Sequence, residues 1–268
     1  MTRYHTTRLP GGWRFGLLLF LGMACPATLS ASSTHEGAWY GRYPLPAGGS
    51  VAVENVQGDV QVEGWDRAEV QITAAKIASG YSGHLPSHHL DEVRVVAEVG
   101  VQSLRFRTLY PAHLKGPVRV NYRLHVPRQV QLSSLRTLEG NIAVRDVEGP
   151  VDARTLHGNI VQMDVAGSVV ARALTGSILV SLRALPVGTA PLLLDSVNGN
   201  VVLLLPPRLN ADLELSTVAG TIEGNYAFQI SSIPGDSTRR TRLGLGGVTI
   251  TLRTVRGSIR VAERDDLL

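Results

Sequence analysis

Thr137-Leu138-Glu139-Gly140-Asn141-Ile142 returns eighteen residues later as Thr155-Leu156-His157-Gly158-Asn159-Ile160, and eighteen after that as Ala173-Leu174-Thr175-Gly176-Ser177-Ile178. Gly149 and Gly167 fall midway between these glycines. Self-similarity at a short fixed period is the signature of a stacked repeat architecture. Looser copies follow at Ser196–Val201, Thr217–Ile222 and Thr254–Ile259, and one stands upstream at Asn55–Val60.

Aligned on the glycine, the copies show apolar columns. Two residues before it stand Val56, Leu138, Leu156, Leu174, Val197, Val218 and Val255. Two after it stand Val60, Ile142, Ile160, Ile178, Val201, Ile222 and Ile259. Five before it stand Val53, Leu135, Ala153, Ala171, Leu194, Leu215 and Leu252, and four after it most copies carry Val62, Val144, Val180, Leu203 or Val261. All four columns are read as inward ladders. Alternation on either side of the glycine is the period of a strand with one buried face, and the glycine marks a turn or bulge. The expected fold is all-β: a parallel β-solenoid with short coils of about 18 residues, its backbone bonds running along the axis.

The rest of the chain is less regular. Glu92–Val99, Gln102–Thr108 and Val118–Val126 alternate like strands, and residues 70–130 form an irregular first part of the solenoid or a set of longer hairpins. Residues 79–90 read as a loop, and so does an insertion over about 231–246. Pro127, Pro150, Pro186, Pro191, Pro206 and Pro207 punctuate turns, and no amphipathic helix longer than two turns is visible.

The N-terminus predicts export. Arg3, Arg8 and Arg14 precede an apolar run, Phe15–Ala24, too short to span a bilayer, and small residues follow it. Residues 1–33 read as a signal peptide and 34–268 as one β-solenoid domain. Cys25, the only cysteine, follows Leu21-Gly22-Met23-Ala24, which opens a second boundary: a leader of residues 1–24, with Cys25 acylated as in a bacterial lipoprotein. Either way no disulfide is available, and the core must come from packing. The expected location is the periplasm or outer cell envelope, with the membrane touched only through a lipid anchor. No other run reaches membrane-spanning length.

At 44% apolar and 18% charged residues, the chain is not disordered. Residues 34–268 hold 23 basic and 22 acidic groups, so the body is close to neutral and carries no electrostatic footprint for nucleic acid.

Three phrases carry a resemblance: Val53-Glu54-Asn55-Val56-Gln57-Gly58-Asp59-Val60-Gln61-Val62-Glu63-Gly64-Trp65-Asp66 with Val70-Gln71-Ile72; Asp195 to Pro206 running into Ala211–Thr217; and Val248 to Val261 as a closing coil. Over about residues 45–263 the chain resembles a bacterial family known as putative adhesins, exported β-solenoid domains. The resemblance implies an envelope location and a solenoid fold, and it supplies no catalytic residue.

Candidate sites follow from the repeat. Arg136, Arg154 and Arg172 stand four before the glycine, as does Arg253 in the last copy. Stacked, they form a stripe suited to an anionic glycan, lipid headgroup or acidic polymer, or else a solvated face balanced by Asp152 and Asp195. Asn141, Asn159, Ser177 and Asn200 form a polar ladder of structural kind. Asp146 and Asp164 also stack, which raises calcium or acid/base chemistry, but the next repeat has Leu182 there. His84, His88 and His89, beside Asp91 and Glu92, read as a loop rather than a metal site, since Pro86 interrupts them. Trp39, Tyr40 and Trp65 are candidates for sugar stacking, with Trp65 also suited to covering an open end.

No nucleophile elbow, phosphate loop or dinucleotide motif occurs, and no cofactor or metal is called for. The function read from this is a non-enzymatic envelope scaffold or adhesin-like binding module, with an envelope glycan or envelope protein as partner. The alternatives are a carbohydrate-active enzyme on a parallel β-helix, whose carboxylates must converge in one cleft, and a structural domain that self-associates through its ends.

Overall fold

The glycine of each repeat divides it between two sheets. In the computed structural model, which describes residues 33–80, 88–112, 118–185, 192–225, 229–230 and 238–264, Val151–His157 lies in one sheet and Ile160–Val165 in another, with Gly158 at the corner. Gly158 has φ +148°, and a Cβ on it would fall on the carbonyl oxygen of Gly140 in the adjoining repeat. The same approach recurs from Gly140 to Gly58, Gly176 to Gly158, Gly199 to Gly176, Gly257 to Gly199 and Gly220 to Gly257. Any other residue at these corners would push neighbouring strands apart, so backbone proximity is what requires glycine.

The chain is all-β, with two large, mostly parallel sheets. The first runs through Ser33–Pro44, Glu69–Gly80, Val118–Pro127, Val60–Trp65, Ile142–Arg145, Ile160–Val165, Ile178–Leu182, Val201–Leu205, Ile259–Glu263 and Ile222–Gly224. The second runs through Gln229–Ile230, Thr238–Leu243, Ala211–Ala219, Val248–Arg256, Leu192–Asn198, Val169–Thr175, Val151–His157, Gln131–Glu139, Ser50–Glu54, Ser103–Leu109 and Arg94–Val99. Neither sheet closes on itself. Through the repeat, residues eighteen apart are direct partners: Val151 with Val169, Ile160 with Ile178, and Ile160 with Ile142.

Among the described residues, antiparallel pairing is confined to the two ends. At one end Ser33–Pro44, Glu69–Gly80 and Val118–Pro127 pair antiparallel in the first sheet, and Arg94–Val99 pairs antiparallel with Ser103–Leu109 in the second. The strands read over residues 92–126 are present. Two of them, Ser103–Leu109 and Val118–Pro127, pair parallel with Ser50–Glu54 and Val60–Trp65, and so add a layer beneath the first glycine repeat. At the other end Thr238–Leu243 pairs antiparallel with Ala211–Ala219, so the segment read as an inserted loop contains a strand.

Sequence order and spatial order part company near the C-terminus. Val248–Glu263 lies between the 192–205 and 211–224 repeats rather than beyond them, pairing with Leu192–Asn198 and Val201–Leu205 on one side and Ala211–Ala219 and Ile222–Gly224 on the other. The expected closing repeat is therefore an internal one. Only a pairing register distinguishes these positions, and the local pattern of the strands is the same in both.

Three of the four expected inward columns are inward. Leu135, Ala153, Ala171, Leu194, Leu252 and Leu215 line the second sheet, while Ile142, Ile160, Ile178, Val201 and Ile259, with Val62, Val144, Val180, Leu203 and Val261, line the first; all are buried. The fourth column is a correction. Leu138, Leu156, Leu174, Val197, Val255 and Val218 face outward, exposed by 46%, 44%, 43%, 37%, 42% and 76%. On a strand, residues three apart cannot share a face. Leu135 faces in, so Thr137 faces in and Leu138 faces out; the phase resets only at the glycine corner.

The leader, Cys25, His84, Pro186 and Pro191, and residues 81–87 and 231–237 of the two expected loops lie outside the described residues. His88–Glu92 forms a five-residue helix. No helix among the described residues is long and apolar enough to cross a membrane, which says nothing about strands.

Candidate functional site

On the outer face of the second sheet, alternation turns Asp152, Arg154 and Leu156 away from the core while Val151, Ala153 and Thr155 are buried. Parallel register then aligns each of these with its repeat neighbours. Arg136 pairs with Arg154, Arg154 with Arg172, Arg172 with Asp195, and Asp195 with Arg253. Glu54 adjoins Arg136 at one end of the column, and Ser216 adjoins Arg253 at the other. Adjacent strands lie about 4.8 Å apart, and the leucine column runs beside the arginines about 6.6 Å further along the strands.

Arg154 is held by Asp152 two residues back, through Nε at 2.8 Å and an Nη at 2.7 Å. That bidentate bond pushes the Arg154 pKa further above its usual value. Arg136, Arg172 and Arg253 form no ion pair among the described residues, and neither does Asp195. A trough of about 370 Å³ runs across the strands here. Arg136, Arg154 and Arg172 form one wall, and Leu138, Leu156, Leu174 and Val197 the other. The sequence reading named the arginines and missed the leucines as surface. The signal was present: two apolar columns three residues apart on one strand cannot both face the core.

The other candidates resolve into structural roles. The polar ladder extends beyond the four residues first read. Backbone N–H groups of Asn141, Asn159, Ser177, Asn200, Ser258 and Thr221 each donate to the side-chain oxygen at the same position of the adjoining repeat, at 2.8 to 3.4 Å. Asp59 begins the series by donating its N–H to Asn121 Oδ1 at 3.0 Å. The ladder satisfies corner amides that the sheets leave unpaired.

Asp146 sits at a bend just past Ile142–Arg145, and Asp164 sits at an irregularity within Ile160–Val165 where the pairing register shifts; their φ values are +56° and +57°, a conformation that short polar side chains tolerate. Arg128 lies 3.3 Å from Asp146 and also bonds Asp66, while Arg264 lies 2.5 Å from Asp164. Asp195 is on the other sheet. Of the three, Asp195 is therefore apart from Asp146 and Asp164, and those two are each paired with an arginine.

The Trp65 ring is engaged by neighbouring side chains. His125 stacks on it at 5.3 Å, Arg67 lies over it at 4.9 Å, and Nε1 donates to the carbonyl of Glu69. Trp39 packs edge-on against Phe106, and the exposed Tyr40 is its neighbour on the opposite strand face. These rings form no common platform. Among the described residues, no group of three or more His, Cys, Asp or Glu side chains is placed to hold a metal ion.

No family model matches the sequence, and neither does any curated protein. Among solved structures, the chain is similar to a putative cell adhesion protein from Clostridium sporogenes, at 9% identity and a TM-score of 0.42, over 85% of this chain and 100% of that one. A putative adhesin from Bacteroides fragilis aligns at 10% identity and a TM-score of 0.42, over 84% and 97%. A putative lipid binding protein from Parabacteroides distasonis aligns at 10% identity and a TM-score of 0.32, over 84% and 96%.

Proposed function

We propose that residues 34–268 form a parallel β-solenoid that serves as a non-enzymatic binding module of the bacterial cell envelope, engaging an envelope component through the outer face of the second sheet. The solenoid reading is supported by the parallel pairing of residues eighteen apart in both sheets. The envelope location follows from the leader read over residues 1–33, with Cys25 as an acylated N-terminus in the shorter version of that leader. The observation that carries the binding role is the outward column Arg136, Arg154, Arg172 and Arg253 set beside an outward column of Leu and Val. A continuous apolar row on a surface marks a contact site, and free guanidinium groups beside it select for negative charge.

The test is association of the mature chain with its own envelope membranes, measured by co-sedimentation. Arg136→Glu with Arg172→Glu is expected to abolish association while leaving the circular dichroism spectrum unchanged. Undiminished association of a folded double variant overturns the proposal.

A further inference from the structure

We infer that the trough takes an anionic amphiphile: a hydrocarbon chain lying across the strands, its carboxylate or phosphate gripped between Arg136 and Arg172. The inference rests on the reading of this face as the binding face, and it names the ligand class.

The apolar half of the argument is the row itself. A single exposed leucine needs no explanation, but Leu138, Leu156, Leu174 and Val197 are held in line by strand register, each more than a third open to water. The polar half is the facing wall. Three arginines are fixed on adjacent strands, and Asp152 neutralises only the middle one. An acid group between the outer two relieves their repulsion and meets forked donors, while the methylene stems of the same arginines continue the apolar lining.

The column also gives the ligand a direction. Asp195 follows Arg172 and places negative charge beside Val197. The acid group therefore sits at the Arg136–Arg172 end, and the hydrocarbon runs toward Val197 and Val255. An extended peptide fits worse. Its same-face side chains repeat about every 6.6 Å against a strand spacing of about 4.8 Å, so the two drift apart within a few residues, whereas a hydrocarbon has no repeat to match. A hydrated glycan would leave the leucine row wet.

The test is titration of the full chain with laurate, with dodecyl maltoside as the neutral amphiphile and with inorganic phosphate, each below its aggregation concentration and read by calorimetry. Laurate is expected to bind saturably, at least about tenfold more tightly than the maltoside, with no measurable heat from phosphate. Arg136→Glu with Arg172→Glu, and separately Leu156→Ser, should each weaken laurate by about tenfold or more while shifting the thermal midpoint by no more than about 4 °C. Equal affinity for the charged and neutral amphiphiles overturns the inference, and this comparison needs no variant to fold. So does undiminished laurate binding by the double arginine variant.

The two readings fail differently. If the double variant loses envelope association and the unaltered chain ignores laurate, the face stands and the ligand class falls. If laurate binding depends on the arginines and envelope association does not, the ligand class stands and the envelope role falls.

Discussion

Thr155 donates its hydroxyl to the carbonyl of Gly140, fifteen residues earlier and one repeat away, at 3.1 Å. Thr137 does the same to Gly58, Ser196 to Gly176, Thr254 to Gly199 and Thr217 to Gly257, at 2.9 to 3.2 Å. Each bond ties a corner carbonyl to the next strand. The series has one gap, at the buried Ala173, where the partner would be the carbonyl of Gly158. Ala173→Ser is expected to restore the bond and raise stability by about 0.5–1.5 kcal/mol. Urea unfolding of the two chains side by side checks it; a lower midpoint for the serine chain would show that the gap is set by packing instead.

The repeat was legible because each of its parts has a local cause. Glycine recurs where carbonyls crowd, β-branched and aliphatic residues recur where strands face the core, and Asn or Ser recurs where corner amides need acceptors. What the sequence did not disclose has a physical origin too. The internal place of Val248–Glu263 depends on which strand edge is free when it docks, a non-local matter. The ends are irregular because they pair antiparallel and answer to hairpin geometry rather than to the eighteen-residue period. In the candidate site the arginine column was readable from spacing alone, while the outward leucines were obscured by the rule that apolar residues lie inside, which runs in one direction only.

That correction has a direct mutational consequence. Leu156 is 44% exposed and Ile160, four residues on, is fully buried. Leu156→Ser is expected to change stability by no more than about 1 kcal/mol, whereas Ile160→Ala should cost about 2–5 kcal/mol through lost burial and the cavity left behind. Chemical denaturation of both variants decides the orientation. Comparable losses would mean that the leucine column faces the core.

A second consequence concerns alkaline pH. Tyr122 is buried beneath the first repeats; Thr108 gives its proton to Asn55 Oδ1 at 3.0 Å, so the phenol donates to Thr108 at 2.6 Å. Burial pushes the Tyr122 pKa up to about 12, and desolvation does the same to Tyr110. In the unfolded chain these phenols titrate near 10. The folded state therefore holds its protons more tightly between pH 10 and 12, and stability falls as pH rises through that window. Below pH 10 the two groups add no pH dependence. Tyr122→Phe is expected to shallow the decline by an amount on the order of 2 kcal/mol across the window, measured as the difference between the two chains' unfolding profiles. Parallel profiles would rule out Tyr122 as the source.

Gln162 interrupts one of the apolar columns of the core. Its register partners are Val144 and Val180, it is fully buried, and neither its amide oxygen nor its amide nitrogen meets a hydrogen-bonding group of the protein. A carboxamide taken out of water without a protein partner costs more than the dispersion contacts of its stem return. Gln162→Leu keeps the volume nearly constant and matches the apolar column, so it is expected to stabilise the fold by about 1–3 kcal/mol. Thermal and urea unfolding provide the measurement. A loss of stability instead would mean that the amide is bonded inside the core after all, and that the polar group at this one repeat helps to fix the register in which its neighbours stack.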